Sequence, residues 1–190
     1  MDRNLTVNAA QHSDIEGVLA LLKKYHANSI SDEDRKDGFV TTNIDAAQLA
    51  ELIESENGLV VAKDGDLVVG FVIAGSWQFL QRWPMFEYMT GELHKYTPYG
   101  EQLDSNNSYQ YGPICIDSAY RGNGLANQLF DCSAQIMAQR FAYLVTFINK
   151  INGRSYAAHT RKLQLDDSGS FGFNNNQYHL MTLDLRPLTA

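Results

Sequence analysis

Hydrophobic and polar positions along the first half of the chain follow two periods, which separate predicted strands from predicted helices. Leu5 to Ala9 alternates with the period of two that is typical of a half-buried strand. From Ser13 or Asp14 onward, apolar residues recur every three or four positions, which predicts a capped helix that ends near His26. A second helical pattern covers Ala46 to Glu56.

The middle of the chain combines a hairpin with a long irregular segment. Gly58 stands where a helix stop is expected, and two β-branched runs then flank Lys63 to Asp66, which predicts a hairpin with an Asp-Gly turn. Residues 77–111 are expected to be irregular, apart from a short helix from Pro84 to about Lys95. This segment holds nine aromatic residues: Trp77, Phe79, Trp83, Phe86, Tyr88, Tyr96, Tyr99, Tyr109 and Tyr111.

The second half of the chain predicts a strand, a helix, a strand, a helix and a closing hairpin. Their expected bounds are Tyr111 to Ile116, a glycine turn and helix to about Arg140, Tyr143 to Ile148, Asn152 to about Leu163, and Ser170 to Phe173 with His179 to Leu185. The order predicts an α/β (α+β) fold with a mixed, mostly antiparallel, twisted sheet of about seven strands and helices on both faces. Residues 1–190 are expected to form one domain with an aromatic-rich insertion at about 77–111.

The amino-acid composition and net charge argue against several classes of function. The 190 residues are 44% hydrophobic and 19% charged, and no apolar run or leader points to a membrane span or a secretory signal, so a cytoplasmic protein is expected. The net charge of -7 argues against nucleic acid as a partner, and it suits either a cationic amine substrate or simple solubility. Cys115 and Cys132 provide neither a disulfide framework nor metal-ligand spacing, so no metal is expected.

Two glycines stand at the head of the helix that follows the Tyr111 strand. Gly122 and Gly124 would let an anion approach the backbone N–H groups at the positive end of that helix, which predicts a pyrophosphate site. The Walker A loop would need Gly-Lys followed by Ser or Thr, and none occurs here. The dinucleotide fingerprint would need a third glycine and an acidic residue about 20 positions on, and both are missing.

The turn resembles the acyl-CoA-binding motif of the GNAT superfamily of N-acetyltransferases, Arg/Gln-x-x-Gly-x-Gly/Ala, which Arg121, Gly124 and Ala126 match. Farther along, Asn152-x-x-Ser155-x-x-x-His159 is similar to the family pattern Asn-x-x-Ala/Ser-x-x-x-Tyr. The resemblance extends over most of the chain. It implies an acyltransferase (EC 2.3.1.-) that moves an acetyl group from acetyl-CoA to a primary amine of a small molecule or peptide, by direct attack in a ternary complex.

The resemblance also implies which residues hold the cosubstrate. Backbone N–H groups would bind the pyrophosphate at Gly122, Asn123, Gly124, Leu125, Ala126 and Asn127, with Arg121 holding phosphate or simply solvated. The strand at Ile114, Cys115 and Ile116 would pair with the pantetheine, and one of its N–H groups would polarise the thioester carbonyl. Pantetheine contacts are further expected from Asn149, Asn152 and Ser155, although Asn152 could equally serve as a helix cap.

The sequence offers more than one candidate for each proton-transfer group. The family often places a Tyr as general acid where this chain has His159, so His159 and Tyr156 are the two candidates, and a purely structural role for His159 stays open. Cys115 is expected to be a small strand residue rather than a nucleophile. For the base, the candidates are Glu87, Glu92, His94, Glu101, Asp104 and Tyr111, each of which is more commonly a surface or core residue.

Two segments are candidate walls of the pocket for the acceptor amine. Residues 77–111 would line its pocket, or else cover the sheet edge or form a homodimer contact. The acidic loop from Ser31 to Thr42 is a second candidate wall. Two alternative functions remain: a catalytically inactive CoA-binding regulatory domain, and a nucleotide-binding fold for another phosphate ligand.

Overall fold

The computed structural model describes residues 4–31, 40–41 and 43–190, so most of the acidic loop expected as a pocket wall, 32–39 and 42, lies outside the described residues. The strands are β1 Leu5–Ala9, β2 Leu59–Asp64, β3 Leu67–Ser76, β4 Ser108–Ile116, β5 Tyr143–Asn149, β6 Asp166–Phe173 and β7 Asn176–Asp184. The helices are α1 Ile15–Tyr25, α2 Ala46–Glu51, α3 Trp77–Leu80, α4 Pro84–Glu92, α5 Leu125–Met137 and α6 Gly153–Arg161. Within the described ranges, no helix is long and apolar enough to cross a membrane.

The strands form one seven-stranded sheet in the order β1-β2-β3-β4-β5-β7-β6. The pairs β1/β2, β2/β3, β5/β7 and β6/β7 are antiparallel, and β4 runs parallel to β5. The ladder between β4 and β5 consists of three residue pairs, from Ser108↔Tyr143 to Gln110↔Val145. The mixed, mostly antiparallel sheet of seven strands is therefore as the sequence predicts.

Both predicted hairpins form, and left-handed residues make their turns. Gly65 has a φ of 60° between β2 and β3, and Asn174 and Asn175 have φ values of 46° and 61° between β6 and β7. These are the conformations that Gly and Asn adopt most readily, which explains the Asp-Gly and Asn-rich signals. The helix stop after α2 differs from the expectation, because the left-handed residue is Asn57, at φ 50°, and not Gly58.

Other element bounds shift by a few residues. The helix pattern that begins at Ala46 continues beyond α2 as a π-helical turn, Leu52–Glu56. Strand β4 begins at Ser108, three residues before its predicted start, and the predicted helix from Pro84 to about Lys95 is α4 followed by a 3-10 turn. Asp14 does not cap α1 with its side chain, since its carboxylate bonds the Gln11 N–H instead.

Contacts within the chain divide it into two compact units. The first comprises Met1–Ala74 and Gly112–Ile136. Its buried residues include Val18 and Leu22 of α1, Phe71 of β3 and Leu129 of α5. Val18, Leu22 and Leu129 lie on apolar helix faces, as the periodic patterns predict, and Leu21 and Tyr25 are buried on α1 as well.

The second unit comprises Gly75–Tyr111 and Met137–Ala190. Its hydrophobic core consists of Trp77, Met89, Leu93, Leu103, Tyr143, Val145, Phe171 and Leu180. Trp77 is fully buried, and its indole N–H donates to Ser108 Oγ at 3.0 Å. The aromatic-rich segment 77–111 therefore contributes a large share of this core, which accounts for part of its aromatic content.

We expect Gly58→Ala to destabilise the protein strongly. A Cβ at Gly58 would lie 1.8 Å from the carbonyl oxygen of Ala74, an atom of the backbone that cannot rotate away. Overpacking of this kind should lower the free energy of unfolding by about 3 kcal/mol, measured by urea denaturation.

Gly91→Ala is the matched control, because a Cβ at Gly91 in α4 meets nothing within 4 Å. There we expect a gain of about 0.5–1 kcal/mol from helix propensity. Equal stability of the two variants would contradict the close approach at Gly58.

Candidate active site

The predicted anion-binding turn lies in the first unit, between β4 and α5. Gly122 and Gly124 have φ values of 83° and 73°, in the left-handed region that favours glycine. A Cβ added at either glycine would meet no heavy atom within 4 Å. The glycines are therefore required by the backbone conformation and not by crowding, and the space beside the turn is open to a ligand.

The start of α5 leaves backbone donors facing this turn. The Gln128 N–H donates to the Gly124 carbonyl at 3.2 Å, so Gly124 is the N-cap residue. The N–H groups of Leu125, Ala126 and Asn127 precede that first helical hydrogen bond. A Ser or Asp at the cap would supply a side-chain oxygen to them, but glycine has none. The arrangement fits a pyrophosphate, whose oxygens would be the acceptors.

The 3-10 turn Ser118–Tyr120 precedes the glycines. It is held by hydrogen bonds that the sequence did not predict. The Ser118 N–H donates to the Tyr25 hydroxyl oxygen at 2.7 Å, and Lys24 Nζ lies 2.7 Å from Asp117 Oδ2. Asp117 also accepts the Ala119 N–H at 3.0 Å, as expected of a residue that shapes the turn. Burial raises the pKa of Asp117, but the bonds with Lys24 and Ala119 outweigh it and hold that pKa below its usual value.

Arg121 lies against the same part of the first unit. Its Nε donates to the Ile116 carbonyl at 3.0 Å, and its guanidinium carbon lies 5.2 Å from the centre of the Tyr25 ring. These contacts fix the side chain beside the turn. Its predicted bond to phosphate stays a prediction.

The end of β4 supplies the N–H groups predicted to face the pantetheine. Pro113 has no N–H, so the donors here are those of Ile114, Cys115 and Ile116. Burial raises the pKa of the Cys115 thiol to about 12, which keeps it protonated at neutral pH. A nucleophilic role for Cys115 is therefore disfavoured, in line with the expectation from the sequence.

In the second unit, two asparagines precede α6. Asn152 is the N-cap residue, and its side-chain oxygen accepts the Ser155 N–H at 3.1 Å. Asn149 accepts the Ile151 N–H at 3.1 Å and donates to Asn176 Oδ1 at 3.3 Å. Both side chains thus have local structural roles, and their predicted bonds to the pantetheine stay predictions.

His159 is held by its own helix. Its Nδ1 lies 2.8 Å from the Ser155 carbonyl oxygen and 3.4 Å from Ser155 Oγ, and its ring makes an edge contact with Tyr111 at 5.9 Å. A carbonyl oxygen can only accept, so this bond requires the proton on Nδ1 and leaves a lone pair on Nε2. Burial lowers the pKa of His159, and the bond to Ser155 offsets this only in part. Neutral His159 can therefore accept a proton at Nε2 and cannot donate one there.

Tyr156, the other predicted proton donor, is engaged elsewhere. Its hydroxyl donates to Asp167 Oδ2 at 3.0 Å, and its ring lies 4.3 Å from the His179 ring. The hydrogen bond to Asp167 raises the pKa of Tyr156. This environment makes Tyr156 a weaker proton donor than a free phenol.

The base candidates in residues 77–111 have separate environments. Glu101 accepts the Tyr143 hydroxyl at 2.5 Å, Glu92 pairs with Lys95 at 2.7 Å, and the Asp104 carboxylate accepts the Asn106 and Asn107 N–H groups. Glu87 and His94 are exposed on the surface. Burial raises the pKa of Tyr111, so it is not an anionic base at neutral pH. None of these contacts singles out a base.

We expect nitrogen-15 NMR of the histidine side chains to find His159 as the Nδ1–H tautomer. On acidification, the ring should stay neutral until the pH falls below 6.5. Burial disfavours the charged form and so lowers the pKa of His159 from its ordinary value. The Nε2 signal should have the shift of an unprotonated nitrogen at pH 7. An Nε2–H tautomer would contradict the bond to Ser155 as the fixing contact, and a pKa above 6.5 would contradict burial as the dominant influence on the ring.

Comparisons with known proteins identify the family and the fold. The model of the acetyltransferase (GNAT) family matches residues 19–163. Among solved structures, an N-acetyltransferase from Staphylococcus aureus Mu50 is 19% identical with a TM-score of 0.61, and the match covers 96% of this chain and 99% of that one. A search of curated protein sequences finds no match.

Two further structures share the fold. A Salmonella typhimurium protein solved with its cofactor acetyl-CoA is 14% identical with a TM-score of 0.60, over 95% of this chain and 94% of that one. A ribosomal-protein-alanine N-acetyltransferase from Brucella melitensis is 16% identical with a TM-score of 0.60, over 94% and 99%.

These matches confirm the fold class and the resemblance seen in the sequence. They also confirm acetyl-CoA as the expected cosubstrate, since the family uses it. Because the family model covers well over half of the chain, the protein belongs to the GNAT family of acetyltransferases.

Proposed function

We propose that this protein is an N-acetyltransferase that moves the acetyl group of acetyl-CoA to a primary amine of a small molecule or peptide. The amine attacks directly in a ternary complex. The observation that carries the proposal is the start of α5, where the cap residue Gly124 supplies no side-chain acceptor to the N–H groups of Leu125, Ala126 and Asn127. Family membership makes the pyrophosphate of acetyl-CoA the natural acceptor.

The cofactor-binding residues follow from this placement. The backbone from Gly122 to Asn127 binds the pyrophosphate, and Arg121 adds a positive charge beside it. The strand at Ile114, Cys115 and Ile116 pairs with the pantetheine, and one of its N–H groups polarises the thioester carbonyl. On the basis of the family pattern, Asn149, Asn152 and Ser155 remain candidates for pantetheine contacts.

His159 takes the proton-transfer role, with an order of steps that its tautomer sets. A primary amine with a pKa near 10.4 is an ammonium at neutral pH, and it must first release one proton to solvent so that its nitrogen can attack the thioester. After the attack, the nitrogen must lose a second proton to become an amide. Neutral His159 accepts that proton at Nε2, because Nδ1–H is already committed to Ser155. The resulting imidazolium then returns the proton to the departing CoA thiolate as the carbon–sulfur bond breaks. His159 is thus base first and acid second, which closes the proton balance without a separate acid.

Direct attack is supported by the state of Cys115. A covalent acyl-enzyme would need a thiolate, and burial raises the pKa of this thiol to about 12. Cys115 therefore contributes its backbone and not its sulfur.

We expect Gly124→Glu to abolish binding of CoA and acetyl-CoA in calorimetric titration. The added carboxylate would stand at the helix start, where it would repel the pyrophosphate and occupy its space. Any side chain at φ 73° also strains the backbone, so a control with the same strain is needed.

Gly65→Glu is that control, because Gly65 has a φ of 60° and nothing lies within 4 Å of its Cβ position. It should fold as well as Gly124→Glu and bind CoA normally. Survival of CoA affinity within a few-fold in Gly124→Glu would refute the assigned site. Tighter binding of NAD or ATP than of CoA would refute the choice of ligand.

We expect His159→Ala to lower kcat by roughly 10²- to 10⁴-fold while changing the affinity for CoA only slightly. In the wild type, kcat should fall with acidification as His159 becomes protonated, at a pH below 6.5 because its pKa is lowered. This acidic limb should vanish in the variant. If the wild type binds CoA tightly but acetylates no amine of a broad panel, the protein is a CoA-binding regulatory domain instead.

A further inference from the structure

Helix α6 carries His159 but is weakly embedded. Its nine residues are all described, and none of them is fully buried. A helix this short has little stability of its own in water, so contacts with its surroundings must fix its position. Tertiary contacts around α6 therefore decide where Nε2 of His159 is held.

Two polar side chains, one of α6 and one of β7, converge on one carboxylate of β6. Asp167 of β6 accepts the Tyr156 hydroxyl at 3.0 Å and the His179 Nδ1–H of β7 at 2.9 Å, both at Oδ2. The Tyr156 and His179 rings also pack against each other, 4.3 Å apart at 35°. Each of the three side chains thus contacts the other two, and Tyr156 is the member that belongs to α6.

An irregularity in β6 directs Asp167 to this face. Asp167 pairs with Met181 and Ser170 pairs with His179, with a register shift between Asp167 and Gly169. Paired residues share a face of the sheet, and residues 179 and 181 of β7 share one as well. Positions 167 and 170 are three apart, so they can face the same way only because the strand contains an extra residue. The bulge therefore brings Asp167 within reach of both partners.

We propose that Tyr156, Asp167 and His179 form a polar clamp that fixes α6 on the β6–β7 hairpin and so holds His159, about one helical turn beyond Tyr156, in position for proton transfer. The three are positioning residues and do not themselves exchange protons with the substrates. The catalytic part of this inference rests on the proposed acetyl transfer. The structural part, the docking of α6, does not.

The chain offers a matched pair of aspartates for the test. Asp166 precedes Asp167 on β6, is also exposed, and accepts the Tyr99 hydroxyl at 2.6 Å instead of a side chain of α6. Asp167→Ala and Tyr156→Phe should each lower kcat roughly tenfold, the size of effect that a small misplacement of a catalytic group produces. The KM for acetyl-CoA should change little, and Asp166→Ala should keep the wild-type kcat.

Coupling and rescue distinguish a clamp from independent roles. The double variant of Tyr156→Phe and Asp167→Ala should be no slower than Asp167→Ala alone, because both break the same tie. Asp167→Asn should recover part of the rate, since its amide oxygen still accepts a hydrogen bond. The acidic limb of kcat should keep its midpoint, because His159 still titrates.

A different pattern would overturn the clamp in favour of Tyr156 as the proton donor. Tyr156→Phe would then cost roughly 10²- to 10⁴-fold in kcat. Asp167→Ala would leave kcat unchanged or raise it, because it removes the hydrogen bond that raises the pKa of Tyr156.

Hydrogen exchange tests the docking of α6 without any substrate. Amides of Gly153–Arg161 should exchange faster in Asp167→Ala than in the wild type or in Asp166→Ala. Unchanged exchange in Asp167→Ala would overturn the clamp even if acetyl transfer is demonstrated. Faster exchange in a protein that acetylates no amine would support the clamp and overturn the proposed function.

Discussion

The candidate site depends most on the way α5 begins. A helix leaves its first N–H groups without internal acceptors, and a protein usually satisfies some of them with a side chain at the cap. Here the cap is Gly124, reached through a backbone that is left-handed at Gly122 and again at Gly124. This geometry withholds the usual internal acceptor and keeps the adjoining space open. Lys24 bonds Asp117 and Tyr25 bonds Ser118, directly after the end of β4, so the turn has a fixed position before any ligand arrives.

A second local hydrogen bond determines the chemistry available at His159. Had Nδ1 faced water, either ring nitrogen could have carried the proton. The Ser155 carbonyl, one helical turn earlier, selects the Nδ1–H form, and burial keeps that form neutral. The family's Tyr begins the reaction with a proton to give, whereas this histidine begins with a lone pair. In the proposed mechanism, the substitution therefore changes the order of proton transfers without requiring that transfer be lost.

Much of the fold could be predicted from the sequence, because its elements are specified locally. The Asp-Gly turn, the Asn-rich turn and the Pro84 helix start all depend on the conformational preferences of residues within a few positions of one another. The glycine turn could be found for the same reason. Contacts between distant segments could not: Tyr25 and Ser118 are 93 residues apart, and no periodic pattern links them. The partners of Tyr156 were equally hidden, since Asp167 faces α6 only through a bulge that leaves no clear signal in the sequence.

The two proton-transfer candidates on α6 show how the structure separates residues that the sequence treats alike. His159 and Tyr156 lie three positions apart, close enough to share a helical face, yet one bonds a backbone carbonyl and the other a carboxylate. The carboxylate raises the pKa of the phenol and so weakens it as an acid, while it strengthens the attachment of the helix. Because no side chain of α6 is fully buried, this attachment matters more for the helix than a second proton donor would. In the proposed mechanism, Tyr156 thus attaches the nine-residue helix, and His159, about one turn further along, transfers protons.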